Sequence, residues 1–138
     1  MLYKGYVETK GKASIEKLKN RTTWKTYDEV KNLNGFGGVL ADDTILIDID
    51  DSDQSEILMN IVEELQLDCK VLCTSRGKHF LFKNRTIARN RTHVQLAVGL
   101  TADIKVGSKL SYEVIKIDGE ERFCAVSYTH LRAHETSL

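Results

Sequence analysis

The stretch Thr44-Ile-Leu-Ile-Asp-Ile-Asp-Asp51 is the most informative part of the chain for its fold. It is apolar at first and then acidic, which is the pattern of a strand ending in carboxylates. Because a strand points successive side chains to opposite faces, Asp48 and Asp50 share one face. Ile47 and Ile49 then point into the core. A divalent cation relieves the repulsion between two such carboxylates, and hard oxygen ligands suit Mg²⁺ or Mn²⁺. The stretch therefore predicts a metal site, the alternative being a solvated strand end that leads into a helix cap.

A second segment, residues 74–79, connects two apolar runs and reads Thr-Ser-Arg-Gly-Lys-His. Its glycine lets the backbone come close to a phosphate, while Arg76 and Lys78 supply positive charge. His79 opens the next apolar run, and its ring could donate a hydrogen bond to a phosphate oxygen. The alternative for His79 is a purely structural role at the start of a strand.

The third segment is Thr101-Ala-Asp-Ile-Lys-Val106, in which Asp103 and Lys105 share a strand face. Asp103 is a candidate third metal ligand, with Lys105 as a phosphate contact beside it. The alternative is an ion pair on the protein surface.

The remaining pattern predicts strands with a few helices and no regular alternation of the two. Strands are expected over residues 2–9, 70–74, 79–83 and 101–106, and short helices over 14–20 and 26–33. Asp53-Gln-Ser-Glu56 resembles a capping box with Asp53 as N-cap. The helix that follows is expected to bury Ile57, Leu58, Ile61, Val62 and Leu65.

Two hairpins are expected, one joining residues 38–41 to 44–49 at Asp42-Asp43, the other joining 110–117 to 121–125 at Asp118-Gly119. Residues 34–38 read as a flexible break, and residues 84–100 permit no assignment. The fold class is therefore predicted as α+β with a mostly antiparallel sheet.

Length and composition fit one domain, or part of one, in a soluble protein. The chain has 138 residues and no net charge. No apolar run approaches the ~20 residues that a membrane helix needs, and the first residues lack the apolar region of a secretory signal. The odd number of cysteines predicts reduced thiols and a cytoplasmic location; the three are Cys69, Cys73 and Cys124.

Charge is divided between two blocks of the chain. Residues 40–68 hold ten acidic and no basic side chains, whereas residues 69–117 hold ten basic and two acidic ones. A carboxylate cluster beside a basic surface suits a site that holds metal ions and polyphosphate together. The alternative is two solvated faces of unlike charge.

Residues 126–138 resemble the translation of a sequencing adapter. We therefore exclude this segment, including His130 and His134, from the functional interpretation. The native chain is expected to have continued past Ala125, so that residues 1–125 form the N-terminal part of a C-terminally truncated domain.

Together the three segments resemble the archaeo-eukaryotic primase superfamily, in particular the primase–polymerase domains of phages and mobile elements. That family carries an hhhDhD motif, an sxH motif and an hD motif in this order. Ile45-Leu-Ile-Asp-Ile-Asp50 is similar to the first, Gly77-Lys-His79 to the second and Ala102-Asp103 to the third. The resemblance extends over about residues 1–123.

The resemblance implies an RRM-like catalytic core beside a small N-terminal module. It implies that Asp48, Asp50 and Asp103 bind two catalytic Mg²⁺ or Mn²⁺ ions. The incoming NTP or dNTP would be bound by the second segment and its neighbour on the third, namely Ser75, Arg76, Lys78, His79 and Lys105.

The implied activity is template-directed nucleotidyl transfer by a DNA primase/polymerase in phage or plasmid replication, in the cytoplasm of a bacterial host. The template would be single-stranded DNA, tracked by Lys83, Arg85, Arg89 and Arg91. A helicase domain often follows in such proteins. No membrane partner is expected.

Two other functions fit parts of the sequence. A HAD-type phosphohydrolase also has Asp-x-Asp after an apolar strand, but within a parallel βαβ fold. A nucleic-acid-binding module without catalysis, or a domain inactivated by truncation, would explain the basic block alone.

Overall fold

A computed structural model describes residues 1–83, 91–95, 99–123 and 127–129, with side chains for 1–83 and 99–123. Eleven strands and two α-helices lie in these ranges. The strands are β1 (Tyr3–Lys10), β2 (Ala13–Ser14), β3 (Phe36–Leu40), β4 (Thr44–Ile49), β5 (Lys70–Cys73), β6 (Lys78–Lys83), β7 (Arg91–Gln95), β8 (Thr101–Val106), β9 (Tyr112–Ile117), β10 (Glu120–Glu121) and β11 (Ser127–Thr129); the helices are α1 (Tyr27–Val30) and α2 (Ser52–Leu65).

The strands form two sheets in which every described pairing is antiparallel. The six-stranded sheet has the order β11-β5-β6-β4-β8-β7, and the five-stranded sheet has the order β10-β9-β3-β1-β2. The prediction of an α+β fold with mostly antiparallel strands is confirmed. β4, the strand that carries the two carboxylates, lies between β6 and β8 near the middle of the larger sheet.

The two faces of the six-stranded sheet are buried against different partners. On one face, Ile49, Val71 and Phe80 pack with Met59 and Val62 of α2. On the other face a second apolar cluster joins the two sheets. It is built from Leu46, Leu72 and Leu81 of the larger sheet, Tyr3 and Leu40 of the smaller one, and Leu2, which precedes β1. β4 therefore lies in a middle layer, and one of its faces looks toward the five-stranded sheet.

The five-stranded sheet is built from distant parts of the chain. β3 pairs with β1 on one side and with β9 on the other. This sheet is not a purely N-terminal unit, because β9 and β10 come after the three motif segments in the chain.

The expected hairpin at Asp42-Asp43 is wrong. β3 and β4 belong to different sheets, and residues 41–43 carry the chain from one sheet to the other. The turn itself forms, with the Thr44 N–H donating to the Ala41 carbonyl oxygen at 2.9 Å. Both strands are apolar enough to lie between two other strands, so they are not restricted to pairing with each other.

Two further local predictions are also wrong. Residues 14–20 are not helical, because the Ser14 side chain bonds to the Glu16 backbone and Glu16 in turn binds Arg21 and Lys25. The predicted break at 34–38 is partly strand, since β3 includes Gly37 and Gly38.

Helix α2 forms where expected but begins earlier and buries a different face. Its N-cap is Asp51, whose side chain accepts from the Gln54 N–H at 2.9 Å, and not Asp53. Of the expected face, Val62 is buried and Leu58 partly so, whereas Ile57 and Leu65 are exposed. The other buried residues are Ser55 and Met59. Ser55 Oγ accepts a hydrogen bond from Lys78 Nζ at 3.2 Å, so the face that carries Ser55 and Met59, and not Ile57, lies against the sheet.

The other predicted elements are confirmed in type. Strands form near 2–9, 70–74, 79–83 and 101–106, and α1 has Thr26 as N-cap of a full capping box. Asp118 and Gly119 both have positive φ, as the predicted hairpin turn requires. In the unassigned stretch 84–100, the structure describes β7.

Within the described residues no helix has the length and apolar character to cross a bilayer.

Candidate functional site

A row of three polar side chains crosses the six-stranded sheet. Asp48 on β4 lies directly opposite His79 on β6 and directly opposite Asp103 on β8. Because paired residues in adjacent strands point to the same face, all three side chains project toward the five-stranded sheet. The three sequence segments, far apart along the chain, therefore meet in one place.

The predicted carboxylates form a cluster that could hold a metal ion. Asp48, Asp50 and Asp103 each offer an oxygen atom, and these atoms lie within 4.8 Å of one another. Burial and the neighbouring Asp48 carboxylate raise the pKa of Asp50. Burial would also raise the pKa of Asp48, but contact with His79 outweighs that effect and lowers it. A bound cation would remove the repulsion between the Asp48 and Asp50 carboxylates.

Gly77 allows the second segment to lie against β4. A Cβ at this position would lie 1.8 Å from the Ile49 carbonyl oxygen. The turn before it is closed by hydrogen bonds between Thr74 and Gly77, both of 3.0 Å. The small residue two positions before His79 is therefore required by backbone contact.

His79 is buried and is held on three sides. Its Nδ1 lies 2.5 Å from Glu113 Oε1, its Nε2 lies 3.3 Å from Asp48 Oδ1, and its ring meets the Phe123 ring edge-on at 5.3 Å. Burial alone would lower the pKa of His79, but the carboxylates of Asp48 and Glu113 raise it to about 9. The ring is thus held as a cation between two carboxylates at neutral pH.

The Nε2 atom of His79 is buried and makes no hydrogen bond to the described residues. Neither this nitrogen nor Asp48 Oδ1 has a hydrogen-bond partner among the described residues, because the contact between them lacks hydrogen-bond geometry. Buried polar atoms normally have such a partner. Both atoms belong to residues that line a cleft, so a bound molecule or ion could supply it.

The cleft between the two sheets has a volume of about 470 Å³. Its floor carries the three aspartates and His79. Basic side chains from four different places in the chain line it as well, namely Lys12, Lys105, Lys109 and Arg122. Such a cleft is large enough for a nucleotide-sized ligand and combines carboxylates with cations as polyphosphate–metal sites do.

Of the predicted nucleotide-binding residues, His79 and Lys105 line this cleft. Arg76 lies at its edge, with Nη2 4.0 Å from Asp50 Oδ2 and a largely exposed side chain. Ser75 is exposed in the turn before Gly77.

Lys78 does not lie in the cleft. Its ammonium group contacts Glu56 Oε1 at 2.5 Å and Ser55 Oγ at 3.2 Å, both on α2. Successive residues of a strand point to opposite faces, so Lys78 and His79 cannot both face the cleft. The placement corrects our assignment of Lys78 to nucleotide binding.

Of the four residues predicted to track DNA, Lys83 is the one whose side chain the structure describes. Lys83 lies at the far end of β6, where its ammonium pairs with Asp43 at 2.7 Å. Arg85 and Arg89 lie outside the described residues, and only the backbone of Arg91 is described.

Several cleft residues were missed by the sequence analysis. Lys12, Lys109 and Arg122 come from loops or strand ends whose distance from the aspartates depends on the whole fold. Glu113 had a visible signal, because alternation along β9 (Tyr112–Ile117) places this acidic side chain on the same strand face as Ile115 and Ile117. The sequence gives no signal that Tyr3, whose hydroxyl donates to Glu113, belongs to the site.

Comparison of the chain with protein-family models, with curated proteins and with solved structures finds no match. The functional interpretation therefore depends on the geometry of the cleft and on the sequence motifs.

Proposed function

We propose that this protein is a metal-dependent nucleotidyltransferase, specifically a DNA primase/polymerase domain that extends a primer on a single-stranded DNA template. The observation that carries the proposal is the cluster of Asp48, Asp50 and Asp103 within 4.8 Å of one another, beside buried His79 in a cleft with basic side chains. Phage or plasmid replication, a bacterial host and an accompanying helicase domain belong to the same proposal.

The donor set fits a hard divalent cation. All three groups are carboxylates, which suit Mg²⁺ or Mn²⁺ better than softer metals. Burial and the neighbouring Asp48 carboxylate raise the pKa of Asp50, and the repulsion between the two carboxylates favours cation binding. Divalent ions held there would activate the primer 3′-hydroxyl and stabilise the departing pyrophosphate.

Side chains of the cleft would bind the phosphates of the substrate. His79 Nε2 can donate to a phosphate oxygen, and Lys105 lies on the same face, two residues from Asp103. Lys12, Lys109 and Arg122 would bind the remaining phosphate charge from around the cleft. Fixed cations of this kind offset the negative charge that develops during transfer of the nucleotidyl group.

The antiparallel sheet disfavours a HAD-type phosphohydrolase. That class places its aspartates at the end of a parallel strand, whereas β4 is antiparallel to both of its neighbours. A nucleic-acid-binding module without catalysis is the remaining alternative, and its binding to DNA would not need a divalent metal.

Extension of a labelled primer on a single-stranded template tests the proposal. The full chain is incubated with dNTPs and Mn²⁺ or Mg²⁺, beside the double variant Asp48→Asn/Asp50→Asn. We expect metal-dependent extension by the wild type and none by the variant. Binding of Mn²⁺–dATP is measured on the same samples.

Equal binding of Mn²⁺–dATP by wild type and double variant would refute the site. DNA binding that is unaffected by chelation and by the double substitution, without extension, would favour the binding module instead. Hydrolysis of a generic phosphomonoester without a template would indicate a phosphohydrolase.

A further inference from the structure

Glu113 is a buried carboxylate with two partners that come from different strands. It is 1% exposed. Oε1 contacts His79 Nδ1 at 2.5 Å, and Oε2 accepts a hydrogen bond from the Tyr3 hydroxyl. Burying an ionised carboxylate is costly unless it is paired and hydrogen-bonded, so the two contacts are needed to keep Glu113 in place.

Tyr3 reaches Glu113 by crossing the strand between them. β3 separates β1 from β9, and Gly38 of β3 lies directly opposite Glu113. A Cβ on Gly38 would lie 2.7 Å from the ring atom Cδ1 of Tyr3. The ring therefore lies over Gly38, where a larger residue would displace it. Tyr3, Gly38 and Glu113 thus form one connected arrangement in the five-stranded sheet.

We propose that Glu113, supported by Tyr3, is a positioning residue that fixes the His79 ring with Nε2 directed at the aspartate cluster. A histidine that donates from one ring nitrogen has the orientation of the other nitrogen set by that bond. Phe123 packs against the same ring and limits its rotation. The consequence for nucleotide binding depends on the proposed function, whereas the orientation of the ring does not.

The orientation is tested by NMR of the full chain without ligand. The ¹⁵N signals of the His79 ring, assigned by their loss in His79→Asn, report the environment of each ring nitrogen, and contacts to Phe123 protons report the ring position. The variants are Glu113→Gln, which keeps the shape and removes the charge, and Tyr3→Phe, which removes one hydroxyl. Exposed Glu120→Gln is the matched control for charge.

We expect wild type and Glu120→Gln to show a single His79 ring state, with hydrogen on both ring nitrogens and contacts to Phe123. Glu113→Gln should change the ¹⁵N signal of Nδ1 and weaken the contacts between His79 and Phe123. Tyr3→Phe should change the same signal and the same contacts in the same direction, but by a smaller amount. His79 signals in both variants that coincide with wild type would overturn the inference. If Glu113→Gln does not fold, the Tyr3→Phe spectrum decides in the same way.

Ligand affinity separates positioning from simple stabilisation. Glu113→Gln should weaken binding of Mn²⁺–dATP about 10-fold, as loss of an orienting partner commonly does, while binding of Mn²⁺ alone stays within about twofold of wild type. Equal losses for both probes would indicate general damage to the cleft and overturn the inference. If wild type does not bind Mn²⁺–dATP, the proposed function fails, and the ring spectra still decide the positioning role.

Discussion

The two sheets contribute to the cleft in different ways. The six-stranded sheet supplies the groups suited to chemistry, because Asp48, His79 and Asp103 form a row on three adjacent strands. The five-stranded sheet supplies a buried support, in which Tyr3 and Glu113 hold the far side of the His79 ring. Substitution of the aspartates should therefore abolish ligand binding directly, and substitution of Glu113 or Tyr3 should weaken it by disturbing the orientation of His79.

The largest effect is expected at Asp50. Asp50→Asn should reduce metal-dependent primer extension by at least about 1,000-fold, since it removes a ligand from the cluster. Unfolding in urea without metal should show higher stability than wild type, because the repulsion with Asp48 is relieved. Asp53→Asn, an exposed aspartate on α2, is the control and should leave extension unchanged. Lower metal-free stability in Asp50→Asn would contradict the account of the cluster.

Gly77 tests the contact that brings the second segment to β4. Gly77→Ala should lower the free energy of unfolding by about 3 kcal/mol, because its Cβ would overlap the Ile49 carbonyl oxygen. Gly11→Ala has open space but a positive φ of 59°, and should cost only about 1 kcal/mol. Denaturant unfolding compares the two. Similar losses in both variants would show that close approach is not what selects glycine at position 77.

Lys105 and Lys78 test the two faces of the larger sheet. Lys105→Met should weaken binding of Mn²⁺–dATP about 10-fold with little change in stability, because it removes a charged contact from the cleft. Lys78→Met should lower the free energy of unfolding, because it loses the contacts of Lys78 with Glu56 and Ser55. It should leave nucleotide affinity within about twofold of wild type. Titration with Mn²⁺–dATP measures both. A larger loss of affinity in Lys78→Met would place Lys78 in the site after all.

The smallest effect is expected at Glu16, far from the aspartate cluster in sequence. The Glu8 N–H, Lys25 and Arg21 outweigh the effect of burial and lower its pKa to about 2. A lowered folded-state pKa stabilises the fold above the unfolded value, and this contribution is lost as pH falls from about 4.5 to about 2. Glu16→Gln should cost about 1 kcal/mol at pH 6. Urea unfolding should show a smaller difference in the free energy of unfolding between Glu16→Gln and wild type at pH 3 than at pH 6. An equal difference at both pH values would contradict the stabilising role of the ionised Glu16 carboxylate.

Local pattern was sufficient for the elements that carry the cluster. Alternation along residues 44–51 placed Asp48 and Asp50 on one face, and Asp118-Gly119 indicated the turn after β9. The same rule, applied strictly, would have excluded Lys78 from the cleft, because it precedes His79 directly. Residues 74–79 look like one phosphate-binding segment by charge, but the strand separates Lys78 and His79 onto opposite faces.

Pairing between distant strands was not accessible from local pattern. β3 and β4 are close in sequence and look like a hairpin, yet they lie in different sheets. Glu113 and Tyr3 approach His79 only because β3 separates β1 from β9. The face that α2 buries was also missed, because it includes Ser55, whose hydroxyl binds Lys78, and not apolar residues alone.

The position of β3 between β1 and β9 also sets an order of assembly during synthesis. When residues 1–83 have emerged, β4 and β6 can pair, and Asp48 and His79 can meet. Glu113 has not yet been made, so the five-stranded sheet is still open on one side of β3. Closing it requires pairing across most of the chain, which is slow compared with local contacts. During synthesis, His79 therefore has no Glu113 to bind until β9 has been made, and a chain arrested before β9 would have Asp48 and Asp50 but an unsupported ring.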